Sequence, residues 1–231
     1  MTMILERPAD GNLREQVLRH VRAEIIAGEA APGTMYSVPS LAATLGISTT
    51  PVREALLELA RGGLIEPMRN RGFKVVTPTL AQLRNLFDIR EILELNAAEI
   101  VALKRRKDLS ELRRIADHVA ETVERGSILD YLEADRAFHH ALTEQADNEL
   151  LTEMVMSLRG KMRLYGIASD PGKERQRESV AEHYRIIELA EIGDVDGLRQ
   201  VLKHHIRSWE PIFTDALLKV TRETKAKGLR R

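Results

Sequence analysis

The chain has 231 residues, 43% of them hydrophobic, enough for one large core or two modest ones. Lys plus Arg total 35 and Asp plus Glu total 35, so a uniformly basic nucleic-acid binder is excluded and any DNA contact must come from a local patch. With no cysteine, disulfides and thiolate chemistry are excluded, and a metal site would have to use His, Asp or Glu with water.

The first residues, Met1 to Pro8, lack the apolar core of a signal peptide. No stretch approaches the ~18–20 apolar residues that span a bilayer. The expectation is a cytoplasmic protein with no membrane partner.

Leu13, Val17, Leu18, Val21, Ile25 and Ile26 recur at helical spacing and predict a helix from Leu13 to Ala27. Gly28 and Pro32-Gly33 end it. A short helix follows from Val38 to Leu45, closed by Gly46. Ser48 is a good N-cap for a third helix, with Pro51 early in it, where a missing N–H costs little. That helix runs to about Arg61 and stops at Gly62-Gly63. Leu64-Ile65 and Phe73 to Val76 predict two short strands, joined by the turn Arg69-Asn70-Arg71-Gly72.

Thr77-Pro78 is the expected boundary, giving domains 1–77 and 78–231. Beyond it the pattern is helical, with helices expected at about 80–106, 108–125, 127–146, 148–168, 171–191 and 194–220. The fold class is therefore mainly α: a winged helix-turn-helix followed by an all-α bundle of six helices. From Lys219 on, six basic residues stand against the single acid Glu223, which reads as a frayed, solvated end.

Three short helices and a two-stranded wing suit major-groove reading, with the third helix docking by its N-terminal end. Ser48, Thr49 and Thr50 place small hydroxyl donors there, where unpaired N–H groups favour a phosphate. Arg53, one turn in, is placed to reach guanine O6 and N7 with two hydrogen bonds. Arg69, Asn70, Arg71 and Gly72 form the wing tip. An arginine on an exposed helix is more often merely solvated, and Glu54 or Glu58 offers Arg53 a partner.

The order of the residues carries more than the composition does. Gly46-Ile47-Ser48-Thr49-Thr50-Pro51-Val52-Arg53-Glu54-Ala55-Leu56, with Leu59, Gly63-Leu64-Ile65 and Arg71-Gly72-Phe73-Lys74-Val75, resembles the GntR family of bacterial regulators over about residues 13–77. The resemblance implies a homodimer on an inverted repeat of double-stranded DNA. Two departures stand out: relatives commonly carry Arg where this chain has Thr49, and often a polar pair where it has Val38-Pro39.

Six of the seven histidines lie beyond Pro78. Asp135 and His139, four residues apart, share a helix face, and His183 and His204-His205 sit on later helices. Neutral imidazole with carboxylate suits divalent transition metals. A single histidine on a helix is more often core or surface. Asp135-Arg136-Ala137-Phe138-His139, Asn148-Glu149-Leu150-Leu151, Glu182-His183 and His205-Ile206 together resemble the FCD effector domain of the FadR branch of GntR regulators, in its shorter, VanR-like, metal-binding form. That resemblance implies Asp135, His139, His183 and His205 as ligands to a divalent metal, zinc first, with nickel or manganese as alternatives. It also implies a small carboxylate effector gripped by Arg90, Arg159 or Arg163, and release of DNA in response. The alternatives are a metal-dependent hydrolase and a regulator whose metal is purely structural. Dimerisation is expected through the bundle, with Leu83, Phe87, Leu93, Ala97 and Val101 as contributors or simply as core.

Overall fold

The computed structural model describes residues 13–27, 30, 32–76, 78–105, 108–162 and 166–228, the side chains of 26–27 and 223–228 excepted. It divides into two compact units, Met1–Pro78 with Lys219–Arg231, and Thr79–Leu218.

The first unit runs α1 (Leu13–Ala27), β1 (Met35–Tyr36), α2 (Val38–Leu45), α3 (Thr49–Arg61), β2 (Ile65–Met68) and β3 (Gly72–Val75). The apolar stripes read from the sequence become one core: Val17, Leu18 and Val21 of α1 meet Val52, Leu56 and Leu59 of α3, with Leu41 and Leu45 of α2. Ile65, Phe73 and Val75 close it from the sheet. Gly46 and Gly63 take the left-handed conformations that end α2 and follow α3.

The wing has three strands, in the order β1-β3-β2, all antiparallel. Sequence reading misses β1 because two residues, Met35 and Tyr36, are too few to show alternation. β1 gives Gly72 a definite role. At φ +101° a side chain is strained, and a Cβ would run into the Tyr36 carbonyl oxygen. Glycine is what allows β1 to close on β3.

In the second unit, α4 (Leu80–Lys104) begins in a capping box: Thr79 accepts from the Gln82 N–H, and the Gln82 side chain accepts from the Thr79 N–H. It is followed by α5 (Ser110–Arg125), α6 (Ile128–Glu144), α7 (Glu149–Gly160), α8 (Asp170–Ile192), α9 (Val195–Arg207) and the first half of α10 (Trp209–Gly228), whose residues from Lys219 on are counted with the first unit. Phe87, Ala98, Leu112, Val119, Phe138, Val155, Ile186, Leu202 and Phe213 are almost fully buried along their inner faces.

The mainly α class holds, but the bundle has seven helices among the described residues rather than six. The expected helix at 194–220 is two, broken at Ser208. Pro211 has no N–H to give the Arg207 carbonyl, and its ring crowds that carbonyl. Pro171 lies in the first turn of α8, behind the Ser169 cap, close to the expected start of that helix at 171.

Two glycine substitutions separate strain from collision. Gly46→Ala meets nothing within 4 Å and costs only its left-handed φ, about 1–2 kcal/mol. Gly72→Ala adds the collision with β1, so its thermal unfolding should show a loss of roughly 2–4 kcal/mol. Equal losses would mean that β1 yields.

Candidate functional site

The first site lies on α3 and the wing. Val52, Ala55, Leu56 and Leu59 are buried, which leaves Thr49, Thr50, Arg53 and Glu54 exposed on the opposite face. Ser48 has the extended backbone of an N-cap, yet its hydroxyl makes no cap hydrogen bond. The hydroxyls of Ser48, Thr49 and Thr50 thus crowd a helix end whose N–H groups attract anions. Arg53 is exposed and forms no ion pair among the described residues. Glu58, one of its possible partners, instead pairs with Arg14 at 3.2 Å.

At the wing tip, Arg69, Asn70 and Arg71 are all exposed. The Arg71 N–H donates to Met68 O at 3.0 Å, with Asn70 left-handed at φ 57°. Lys74 contributes less positive charge than the sequence suggests, because its ammonium meets Glu66 on the opposite strand at 2.6 Å.

The second site lies inside the bundle. α6 carries Asp135 and His139 one turn apart, α8 carries His183 in its middle, and α9 carries His205 in its last turn. One ligand atom from each of the four falls within 4.8 Å of all the others. The three imidazoles are 2% exposed or less. His140 and His204 are exposed and face elsewhere, as does His118, which approaches Glu121.

The donor set fits a divalent metal. Both ring nitrogens of His183 are buried without a hydrogen-bond partner, an unfavourable state for a polar ring unless something else engages it. Its ring stacks on Phe138 at 4.1 Å, and its Nε2 lies 3.4 Å from Asp135 Oδ1. Nε2 of His139 and Nε2 of His205 are 3.0 Å apart. Two nitrogens on one metal at about 2.0–2.1 Å stand roughly 3 Å apart. His205 Nδ1 lies 2.7 Å from Glu182 Oε2. Donation of the Nδ1 proton to that carboxylate leaves the Nε2 lone pair aimed into the set.

The protonation states agree. Burial, with the Arg159 charge next, holds His139 well below the ordinary histidine value. Burial also pulls His205 down to about 4, against the pull of Glu182. Both rings are therefore neutral near pH 7, the form that ligates. Burial alone would raise Asp135, but His139 and Arg159 outweigh it and hold the carboxyl well below its usual range.

Two of the three arginines expected to grip an effector lie beside this set, Arg90 buried and Arg159 partly so; Arg163 lies outside the described residues. Arg159 on α7 donates from Nη2 to Asp135 Oδ2 and from Nη1 to Glu94 Oε2, both at 2.8 Å. Arg90 donates from Nε to Glu94 Oε1 at 2.7 Å. Glu94 is 2% exposed, and its Oε2 also lies 3.8 Å from His139 Nδ1. Sequence reading misses Glu94 and Glu182. The signals were present: Glu94 stands four residues after Arg90, and Glu182 immediately precedes His183.

Comparison with known proteins agrees with this organisation. Residues 13–75 match the bacterial regulatory proteins of the gntR family, and residues 85–208, more than half the chain, match the FCD domain. The HTH-type transcriptional repressor RspR of Escherichia coli K12 is 26% identical over 196 residues, covering 84% of this chain and 86% of the relative. A probable D-xylose utilization operon transcriptional repressor of Paenarthrobacter nicotinovorans is 29% identical over 197 residues, covering 85% and 86%. The solved structure of E. coli McbR/YncC superposes with a TM-score of 0.71 at 25% identity, covering 89% of this chain and 99% of that one. These relatives are regulators, so the hydrolase alternative is set aside. The chain belongs to the GntR family of bacterial regulatory proteins, with a winged helix-turn-helix followed by an FCD domain, and is a DNA-binding transcriptional regulator rather than an enzyme.

Proposed function

We propose that the protein is a metabolite-responsive repressor that binds an inverted repeat as a homodimer and releases it when a small carboxylate enters the bundle. The observation that carries this reading is the Asp135–His139–His183–His205 set, its three imidazoles buried and both nitrogens of His183 without a hydrogen bond, beside Arg90 and Arg159. Repression is favoured because RspR and the P. nicotinovorans relative are both described as repressors.

On the DNA side, Ser48, Thr49 and Thr50 hold phosphates and Arg53 reads a base, with Arg69, Asn70, Arg71 and Gly72 supplying the wing contact. In the bundle, Asp135, His139, His183 and His205 would hold zinc, or else nickel or manganese. That ion would supply a Lewis-acid position for the effector's carboxylate, with Arg159 and Arg90, each paired with a carboxylate, beside it. The effector acts by favouring one arrangement of the DNA-binding units over another.

Of the residues expected at the dimer contact, Leu83, Phe87, Ala97 and Val101 are buried within the subunit and serve its own core. The outer face of α4 offers Ile89, Ile92, Asn96 and Leu103 instead, with Ile92 and Leu103 63% and 66% exposed. This stripe is symmetric about Asn96. A two-fold axis there would set Ile89 of one copy against Leu103 of the other, as an isologous contact requires.

Three outcomes follow. Arg53→Ala should lower operator affinity by about 1–3 kcal/mol while changing affinity for random duplex much less; equal losses on both would remove the base contact. Zinc should raise the melting temperature of the wild type, a small carboxylate should add to it, and chelation should reverse both. His183→Ala should weaken zinc by more than the roughly 10–100-fold typical of losing an outer-shell partner. A zinc shift with no carboxylate response in either thermal stability or operator release would leave a purely structural metal. Finally, burial holds His139 and His205 in the folded, metal-free protein below the unfolded value of about 6.5. The unfolded chain therefore binds protons first, and stability is present above that pH and lost below it. The chelated protein should melt progressively lower between about pH 6.5 and the His205 value of about 4; a flat profile there would contradict the burial of neutral rings.

A further inference from the structure

The arginines beside the histidine set are already balanced by carboxylates. Arg159 already spends both terminal nitrogens on Glu94 and Asp135, and Arg90 spends its Nε on Glu94. Arg90, Glu94, Asp135 and Arg159 have side chains 6%, 2%, 16% and 10% exposed. They carry two positive and two negative charges, so this buried cluster is neutral as it stands. The nearby pair Arg175–Glu182 also cancels. An incoming carboxylate would be one uncompensated negative charge in a poorly solvated place, where such charges are most unfavourable.

We propose that Glu94 is a built-in counter-anion that makes anion binding at this site conditional on the metal. This rests on the effector-site reading above and extends it to the order and charge of what binds. A divalent ion on Asp135, His139, His183 and His205 adds two positive charges that the surrounding side chains do not balance. A small organic anion then completes the balance, with a dianion matching it better than a monoanion. Glu94 sets this threshold, since it neutralises one of the two guanidinium groups that would otherwise attract the carboxylate without help. Linkage makes the effect reciprocal: the anion tightens the metal by the same factor.

The test is calorimetric titration of the full-length protein with succinate, and with acetate for comparison, in zinc and in chelator. The wild type should bind succinate at least about tenfold more tightly with zinc than without, within the range of such couplings, and should prefer succinate to acetate. Glu94→Gln keeps the shape but leaves the metal-free cluster with one excess positive charge. It should bind succinate in chelator and hold zinc less tightly than the wild type. The double variant Glu94→Gln with Arg90→Gln restores neutrality, so metal dependence should return; this separates charge from a change of packing, and circular dichroism of each variant checks its fold. Succinate binding by the wild type to the same extent with and without zinc would overturn the coupling while leaving the effector site standing. The same holds if Glu94→Gln remains strictly metal-dependent. Succinate binding in none of the proteins under either condition would instead remove the effector reading, and the coupling with it.

Discussion

Charge inside the second unit has to cancel, because water is not there to screen it. Arg90, Glu94, Asp135 and Arg159 come from α4, α6 and α7, and each is tied to at least one of the others by hydrogen bonds of 2.7–2.8 Å. Paired in this way, ions tolerate burial; with one partner removed, a bare charge remains and the cost rises steeply. The cluster therefore constrains how three helices approach one another. It also fixes which oxygen of Asp135 faces the histidines. Arg159 takes Oδ2, leaving Oδ1 towards His183.

The DNA-binding face is built on the opposite plan. Its core is apolar throughout, and the groups expected to act are those the core excludes. α3 turns Val52, Ala55, Leu56 and Leu59 inward, and that alone presents Thr49, Thr50 and Arg53 outward. Arg53 gains its freedom from a neighbour: Glu58 is engaged by Arg14 on α1. The wing tip depends on close backbone approach at Gly72, where β1 leaves no room for a side chain. A rigid, hydrogen-bonded turn with outward arginines suits phosphate contact, whereas a bundle with balanced internal charge suits a switch.

Much was legible in the residues. Period 3.6 placed α1, α2 and α3 to the residue or nearly so, since each apolar stripe is bounded by a cap or a glycine. The Asp135–His139 spacing put two candidate ligands on one helix face. Less was legible wherever the signal was short or came from afar. β1 has two residues and exists because β3 pairs with it. The break at Ser208 has a local cause in Pro211, hidden by apolar periodicity that continues on both sides of it. Glu94 and Glu182 have neighbours in the sequence that hint at a role, Arg90 and His183, but that Glu94 is buried and that Glu182 meets His205 depends on other helices.

Local pattern in the sequence thus determined the mainly α class, the helices themselves, the family and the four residues that could hold a metal, because periodicity, capping and motif order are properties of neighbouring residues. Tertiary structure decided which groups meet: that the four possible ligands come within 4.8 Å of one another, that Glu58 pairs with Arg14, and that the two described effector arginines are already engaged by internal carboxylates. Burial and ionic pairing depend on segments far apart in the chain, such as Glu94 and Arg159, being brought within 2.8 Å. No spacing rule along the chain encodes that distance.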